Sequence, residues 1–186
     1  MPLPMEVLQH EHRLIERMLR VMESVARRLE KGEFVPIPLL ENNLDFIVTF
    51  SDACHHAKEE DVLFPMLEGK GIPRGGGPIG VMMMEHEEGR RLVRGMKEGV
   101  QAYGGGEDAA RGRIVQNFFA FVQLLRQHIY KEDQILYPLG TRVLSPADQE
   151  VLAKRFEDVE REKSGEGVHQ RYETLVETLE EEWGKG

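Results

Sequence analysis

The sequence predicts an all-α protein, an antiparallel four-helix bundle with one or two additional C-terminal helices. Three observations predict it. Glycine and proline cut the chain into long pieces of helical periodicity, no segment shows convincing strand alternation, and the first 140 residues read as two copies of one helix pair.

The first helix is predicted over about Met5 to Lys31, stopped by Gly32. Pro36 and Pro38 precede a second, from about Leu39 to Glu68. The Gly/Pro-rich stretch from Gly69 to Pro78 is the central break. A third helix runs from about Ile79 to Tyr103 and ends at Gly104-Gly105-Gly106; a fourth runs from about Asp108 to Leu139, closed by Gly140. Ser145-Pro146-Ala147-Asp148 reads as a helix start, with serine as cap, proline in the first turn and an acid three residues on. That helix extends to about Lys163, and a last one covers about Val168 to Trp183. The boundaries imply a bundle over residues 1–140 and an acidic helical extension over 141–186.

Composition excludes several classes. The chain of 186 residues carries 24 Lys and Arg against 33 Asp and Glu, a net charge of −9. That balance argues against capture of nucleic acid or of an anionic membrane surface. No apolar run approaches the ~20 residues of a membrane span. One cysteine excludes a disulfide framework and any multi-cysteine zinc or iron–sulfur site. The N-terminus lacks the basic start and apolar stretch of a secretion signal, so a cytoplasmic setting is expected. Residues 146–186 hold 12 acids and 6 bases, so they read as a separate, solvent-facing segment.

The repeat carries the chemistry. HHAKEEDVLFP at 55–65 aligns with HIYKEDQILYP at 128–138 at an offset of 73. Glu11-His12 aligns with Glu85-His86, Arg20 with Arg94 and Met22 with Met96, at an offset of 74. Each copy thus supplies a Glu-His on its first helix and a His-x-x-x-Glu on its second.

An α-helix turns about 100° per residue, so positions i, i+4, i+7 and i+11 share a face. His12 falls in line with Leu8, Ile15, Leu19 and Met22. His55 and Glu59 fall in line with Leu44, Val48, Ser51, Val62 and Met66. His86 joins Met82, Val93 and Val100, while His128 and Glu132 join Phe121, Leu124, Ile135 and Leu139. Carboxylates and imidazoles on apolar faces are costly without partners. Bound divalent cations resolve that cost, because neutral imidazole nitrogens and carboxylate oxygens are their usual ligands. A single histidine on an apolar face is ordinarily a hydrogen-bonded core residue; four of them, paired by the repeat, favour joint metal ligation.

The ordered set His12, His55-x-x-x-Glu59, His86, His128-x-x-x-Glu132 resembles the hemerythrin-like, or HHE cation-binding, family over roughly residues 5–140. The resemblance implies a four-helix bundle holding two iron ions, with zinc or manganese as possible substitutes. It also implies that Glu59 and Glu132 bridge the ions while the histidines take terminal positions. Oxygen-carrying members have a fifth histidine one turn before the one matching His86; here that position is Met82, a poor ligand for a carboxylate-bridged iron. Glu16, four residues after His12, is the candidate to replace it, and its counterpart Arg90 makes the two metals inequivalent.

Other candidates read as structural. His10 and His169 are expected at the surface. His56, whose row contains Thr49, Asp52, Glu60 and Leu63 and whose repeat partner is Ile129, is expected on a polar face. Tyr130 and Tyr137 are expected to pack, and Cys54 to be a core thiol. Pro65 and Pro138 should kink or end their helices. A ferritin-like centre needs two Glu-x-x-His motifs, whereas the chain has one, Glu166 to His169, in a glycine-broken stretch. A zinc hydrolase would use about four ligands without paired bridging carboxylates. The functional expectation is therefore a non-haem di-iron protein binding dioxygen or a related small ligand, for sensing, storage or delivery. The alternative is a di-iron oxidoreductase consuming oxygen, peroxide or nitric oxide. The apolar stripe of the last helix is expected to cover the bundle or a second subunit in a homo-oligomer.

Overall fold

The computed structural model describes residues 3–184. Met1 and Pro2, where the reading of the N-terminal leader begins, and Lys185 and Gly186, at the end of the acidic extension, lie outside the described residues. Among those described there are six helical rods and no strand. Helix α1 is Pro4–Glu30. Helix α2 runs without a break over 37–69, as Ile37–Asp45, two π-helical stretches Phe46–His56 and Glu59–Leu63, and Phe64–Gly69. Helix α3 is Pro78–Gly104. Helix α4 runs over 110–143, as Ala110–Lys131, a π-helical turn Glu132–Leu136, and Tyr137–Val143. Helices α5, Pro146–Lys163, and α6, Val168–Trp183, follow. No helix among the described residues is long and apolar enough to cross a membrane.

The local signals act as anticipated at most ends. Gly32 takes φ 81° after α1, and the Gly32 and Glu33 amides return to the Leu29 and Arg28 carbonyls. At α5 the Asp148 amide donates to Ser145 Oγ at 3.2 Å and the Ser145 amide donates to Asp148 Oδ2 at 2.8 Å.

Three signals act differently. Gly140 does not close α4. It lies inside the helix, where a Cβ would stand 3.1 Å from Met5 Cε, so the glycine admits a close neighbour. Nor do Pro65 and Pro138 end their helices. Each follows a π-helical turn, whose i→i+5 bonding makes room for a residue that lacks an amide hydrogen and collides with the carbonyl four residues back. Those wide turns also shift the phase beyond them. Ile135 is 53% exposed, while Leu136 and Tyr137 are buried. Met66 is half-buried and Leu67 takes the core position.

Two apolar cores sit at either end of the bundle. One is built around Leu19, Met22, Phe50, Met96 and Phe118, the other around Leu8, Val62, Phe64, Met82 and Leu136. The C-terminal extension is not separate. Helix α5 gives Leu152 and Phe156 to the second core, and α6 gives Val168, Tyr172, Val176 and Leu179 to the first. The stripe of α6 is thus buried against the chain's own bundle, with Tyr172 edge-on to Phe46 and Arg17 paired to Glu180 at 2.7 Å. Between the cores lies a layer of histidines and carboxylates.

Candidate metal centre

Two groups of buried donors face each other in that layer. His12, His55 and Glu132 form one; His56, Glu59, His86 and His128 form the other. Within each group one nitrogen or oxygen atom per residue lies within 4.8 Å of the rest. All seven residues are buried, Glu59 and Glu132 at 0% exposure. The two carboxylates join the groups. Glu132 reaches His12 Nε2 at 3.1 Å with one oxygen and His128 Nε2 at 3.3 Å with the other. Glu59 Oε2 stands 3.4 Å from His86 Nε2 and 3.8 Å from His55 Nε2.

Every imidazole is held from behind. Nδ1 of His12 bonds Asp133 at 2.8 Å, His55 bonds Glu11 at 2.8 Å and His56 bonds Asp52 at 3.2 Å. His86 bonds Glu60 at 2.6 Å and His128 bonds Glu85 at 2.9 Å. A carboxylate on Nδ1 fixes the tautomer that leaves Nε2 free to ligate. Cations back the carboxylates in turn. Lys58 donates to Glu11, Lys131 to Glu85 and Arg13 to Asp133, and Arg90 donates to Glu60 at 2.7 Å. These outer residues explain the Glu of each Glu-His pair and the Lys and acid of each repeat. The sequence displayed them at the repeat offset without showing what they touch.

The front of the layer is unsatisfied. Nε2 of His55 and His56, Oε2 of Glu59 and both oxygens of Glu132 are buried without a hydrogen-bond partner. Buried polar groups are seldom left so. Charge gives the same message. Burial pushes the Glu132 carboxyl well above its ordinary range, and the neighbouring Glu59 charge pushes it further. Burial also opposes ionisation of Glu59, but the charge of His55 and the hydrogen bond and charge of His86 hold it well below that range. With no cation between them, the two carboxylates oppose each other's ionisation. His128 is depressed to about 4, by burial first; His86 rises to about 9 because its bonds to Glu59 and Glu60 outweigh burial. Oxygen and imidazole donors aimed into a buried layer fit hard or borderline divalent cations.

The structure brings His12, His55, Glu59, His86, His128 and Glu132 together. Glu16 does not join them: its side chain is one-third exposed and ion-paired with Arg13 at 3.0 Å. Met82 packs in the second core. The polar-face reading of His56 is overturned. Its residue lies within the long π-helical stretch, where the wider turn swings it inward, and its ring stacks on His86 at 3.9 Å between centroids. The fifth imidazole of the layer therefore comes from α2, not from the turn before His86. Tyr137 is also more than packing. Its hydroxyl donates to Glu59 Oε1 at 2.7 Å and lies 3.3 Å from His12 Nε2. The repeat partner, Phe64, lies parallel to the His86 ring at 6.0 Å between centroids.

Of the remaining candidates, His10 is exposed as expected, whereas Tyr130, expected to pack, is 64% exposed. His169 is not exposed. It is half-buried and bonds Glu11 at 2.8 Å and Glu160 at 3.1 Å. Cys54 is a buried thiol, pushed up to about 12 chiefly by burial. Glu11, Cys54, Glu160 and His169 cluster closely enough to suggest a further metal site. The Lys58 ammonium lies among them, bonded to Glu11 and, at 3.0 Å, to Glu160, so a cation already serves that cluster.

Fold and layer together define a helical-bundle protein built to hold metal cations. The hemerythrin HHE cation-binding domain family matches residues 3–140, and the chain belongs to that family. An uncharacterized protein of Mycobacterium tuberculosis is 27% identical over 179 residues, 96% of this chain and 69% of its own, and a Mycobacterium bovis counterpart gives the same figures. The iron-sulfur cluster repair protein DnrN of Neisseria gonorrhoeae is 37% identical over 86 residues, 45% of this chain and 54% of that protein. No solved structure matches the chain.

Proposed function

We propose that the chain is a non-haem di-iron protein that binds dioxygen or a related small ligand, for sensing, storage or delivery. His12 and His55 would hold one ion and His86, His128 and His56 the other, with Glu59 and Glu132 shared between them. One observation carries the reading: two buried carboxylates, each touching a histidine of both groups, with donor atoms that nothing else satisfies. Two iron ions there would supply electrophilic, redox-active positions for a small ligand. The chain's own residues do the rest. Five Nδ1–carboxylate bonds fix the ring orientations and the tautomer that aims Nε2 inward, and apolar cores flank the layer at both ends.

A second reading, an oxidoreductase that consumes oxygen, peroxide or nitric oxide, is favoured by Tyr137. Its hydroxyl donates to the Glu59 oxygen and lies within reach of His12, so it holds a proton where a reduced ligand would need one. The relative named for iron–sulfur cluster repair favours iron as the metal. Elemental analysis of anaerobically purified protein, with visible spectra before and after air, tests the common core. Two irons per chain and an air-dependent band are expected; no iron after anaerobic loading refutes it. A stable adduct without turnover favours the binder, and catalytic loss of peroxide or nitric oxide favours the enzyme.

A further inference from the structure

A cavity of about 220 Å³ lies between α2 and α3, lined at its inner end by His56 and His86. We propose that it is a binding site for a small monovalent anion, drawn in by Arg94 and Lys97 and delivered beside the metal layer. The destination rests on the metal-centre reading; the pocket and its charge do not.

The internal repeat supplies the control. On α3 the cavity is lined by Gly89, Arg90, Arg94 and Lys97. The corresponding positions of α1, at the same offset of 74, are Ile15, Glu16, Arg20 and Glu23. A buried isoleucine in one copy is thus a glycine in the other, and a Cβ at Gly89 would find only ordinary contact with Phe121 at 3.6 Å. His56, on the facing wall, replaces the buried Ile129. The glycine that leaves room and the histidine that makes the wall polar therefore occur in one copy only.

The charge of the rim changes with them. Glu16, Arg20 and Glu23 sum to −1, whereas Arg90, Arg94 and Lys97 sum to +3 in a chain of net −9. Arg90 is committed to Asp52 at 2.9 Å and to Glu60 and Glu87, so Asp52, which also lines the cavity, is neutralised. Arg94 and Lys97 are exposed and make no ion pair among the described residues. Inside, Ser51 is 1% exposed and its hydroxyl lacks a partner, as does Nε2 of His56. Free cations over a low-dielectric cleft concentrate small anions, and an unspent buried hydroxyl can donate to one.

Nitrite is a suitable probe, titrated calorimetrically into the iron-loaded protein at low ionic strength. The exposed double variant Arg94→Gln/Lys97→Gln should raise its Kd at least about tenfold with iron content unchanged, and added salt should erase the difference. Gly89→Ile, which restores the residue of the other copy, should abolish binding by filling the space. Carbon monoxide, being neutral, should respond to Gly89→Ile and not to the double variant. Nitrite affinity that survives both variants overturns the proposal. Should the protein hold no iron, nitrite binding with the same sensitivity to the variants would still sustain the pocket while the metal reading fell.

Discussion

The two halves of the layer share one design and differ in what surrounds them. In the first, His55 is backed by Glu11 and Glu11 by Lys58; in the second, His128 is backed by Glu85 and Glu85 by Lys131. The first triad is sealed. Glu11 and Lys58 are at most 1% exposed, and α5 and α6 cover them with Glu160 and His169. The second is open, with Lys131 31% and Glu85 19% exposed. Tyr137 occupies the first half, and His56 with its cavity occupies the second. A duplicated scaffold has thus become a one-sided site: one side is closed by the C-terminal extension, and the other has a partly exposed triad and a cavity.

The largest effect should come from what the halves share. Glu59→Ala or Glu132→Ala removes a carboxylate that touches both groups, so iron by elemental analysis should fall from two ions per chain to one or none. Retention of two in either variant would show that the carboxylates do not bridge.

The next effect separates the halves. Glu11→Gln leaves the buried Lys58 ammonium with only Glu160, and stripping one partner from a buried pair costs roughly 3–5 kcal/mol. Glu85→Gln leaves Lys131 near water, where an ion pair contributes about 1 kcal/mol or less. Both should weaken metal binding roughly 10–100-fold by loosening a histidine. Chemical denaturation should therefore distinguish them although chelator competition does not. Equal stability losses would mean that the C-terminal cover does not make the first triad special.

Much of this was legible from residue order. The repeat placed four histidines and two glutamates on inward faces; ordinary α-helical phase in α1, α3 and the first part of α4 accounts for His12, His86 and His128, while His55, Glu59 and Glu132 keep their inward places within or at the start of π-helical stretches. The illegible part lies in the π-helical stretches. A 100° step cannot foresee Phe46–His56 or Glu132–Leu136, so it sent His56 outward and Ile135 inward, opposite to the structure. Pro65 and Pro138 were the available signal for a widened turn, but they mark where a helix is stressed and not how it yields. Glu11, Glu60, Glu85 and Asp133 were visible only as repeated acids, since their partners lie on other helices. His169 was hidden for the same reason: nothing in its neighbourhood of sequence announces Glu11, 158 positions away.

A smaller effect tests the cover itself. The bonds to Glu11 and Glu160 raise His169 to about 9 from an ordinary value near 6.5. A group raised in the folded state stabilises fully below its unfolded value, and that contribution fades as pH rises through the folded one. Stability should therefore decline between about pH 6.5 and 9, by roughly 1 kcal/mol or less because the side chain is partly open to water. His169→Gln should flatten that decline in thermal melts taken across the range; an unchanged slope would detach His169 from Glu11.

The smallest expected effect concerns the residue that the α-helical pattern promoted and the structure did not. Glu16 stands one turn after His12 as Glu59 stands after His55, yet α1 turns it toward Arg13 and water. Surface ion pairs of this kind contribute about 0–1 kcal/mol. Glu16→Ala should leave iron content and the visible spectrum unchanged and shift stability by no more than that. His56→Leu, by contrast, should alter the spectrum of one ion and spare the other, since His56 belongs to a single group. If the two variants exchanged these outcomes, the fifth donor would come from α1, and the two halves would differ for a reason opposite to the one the repeat suggests.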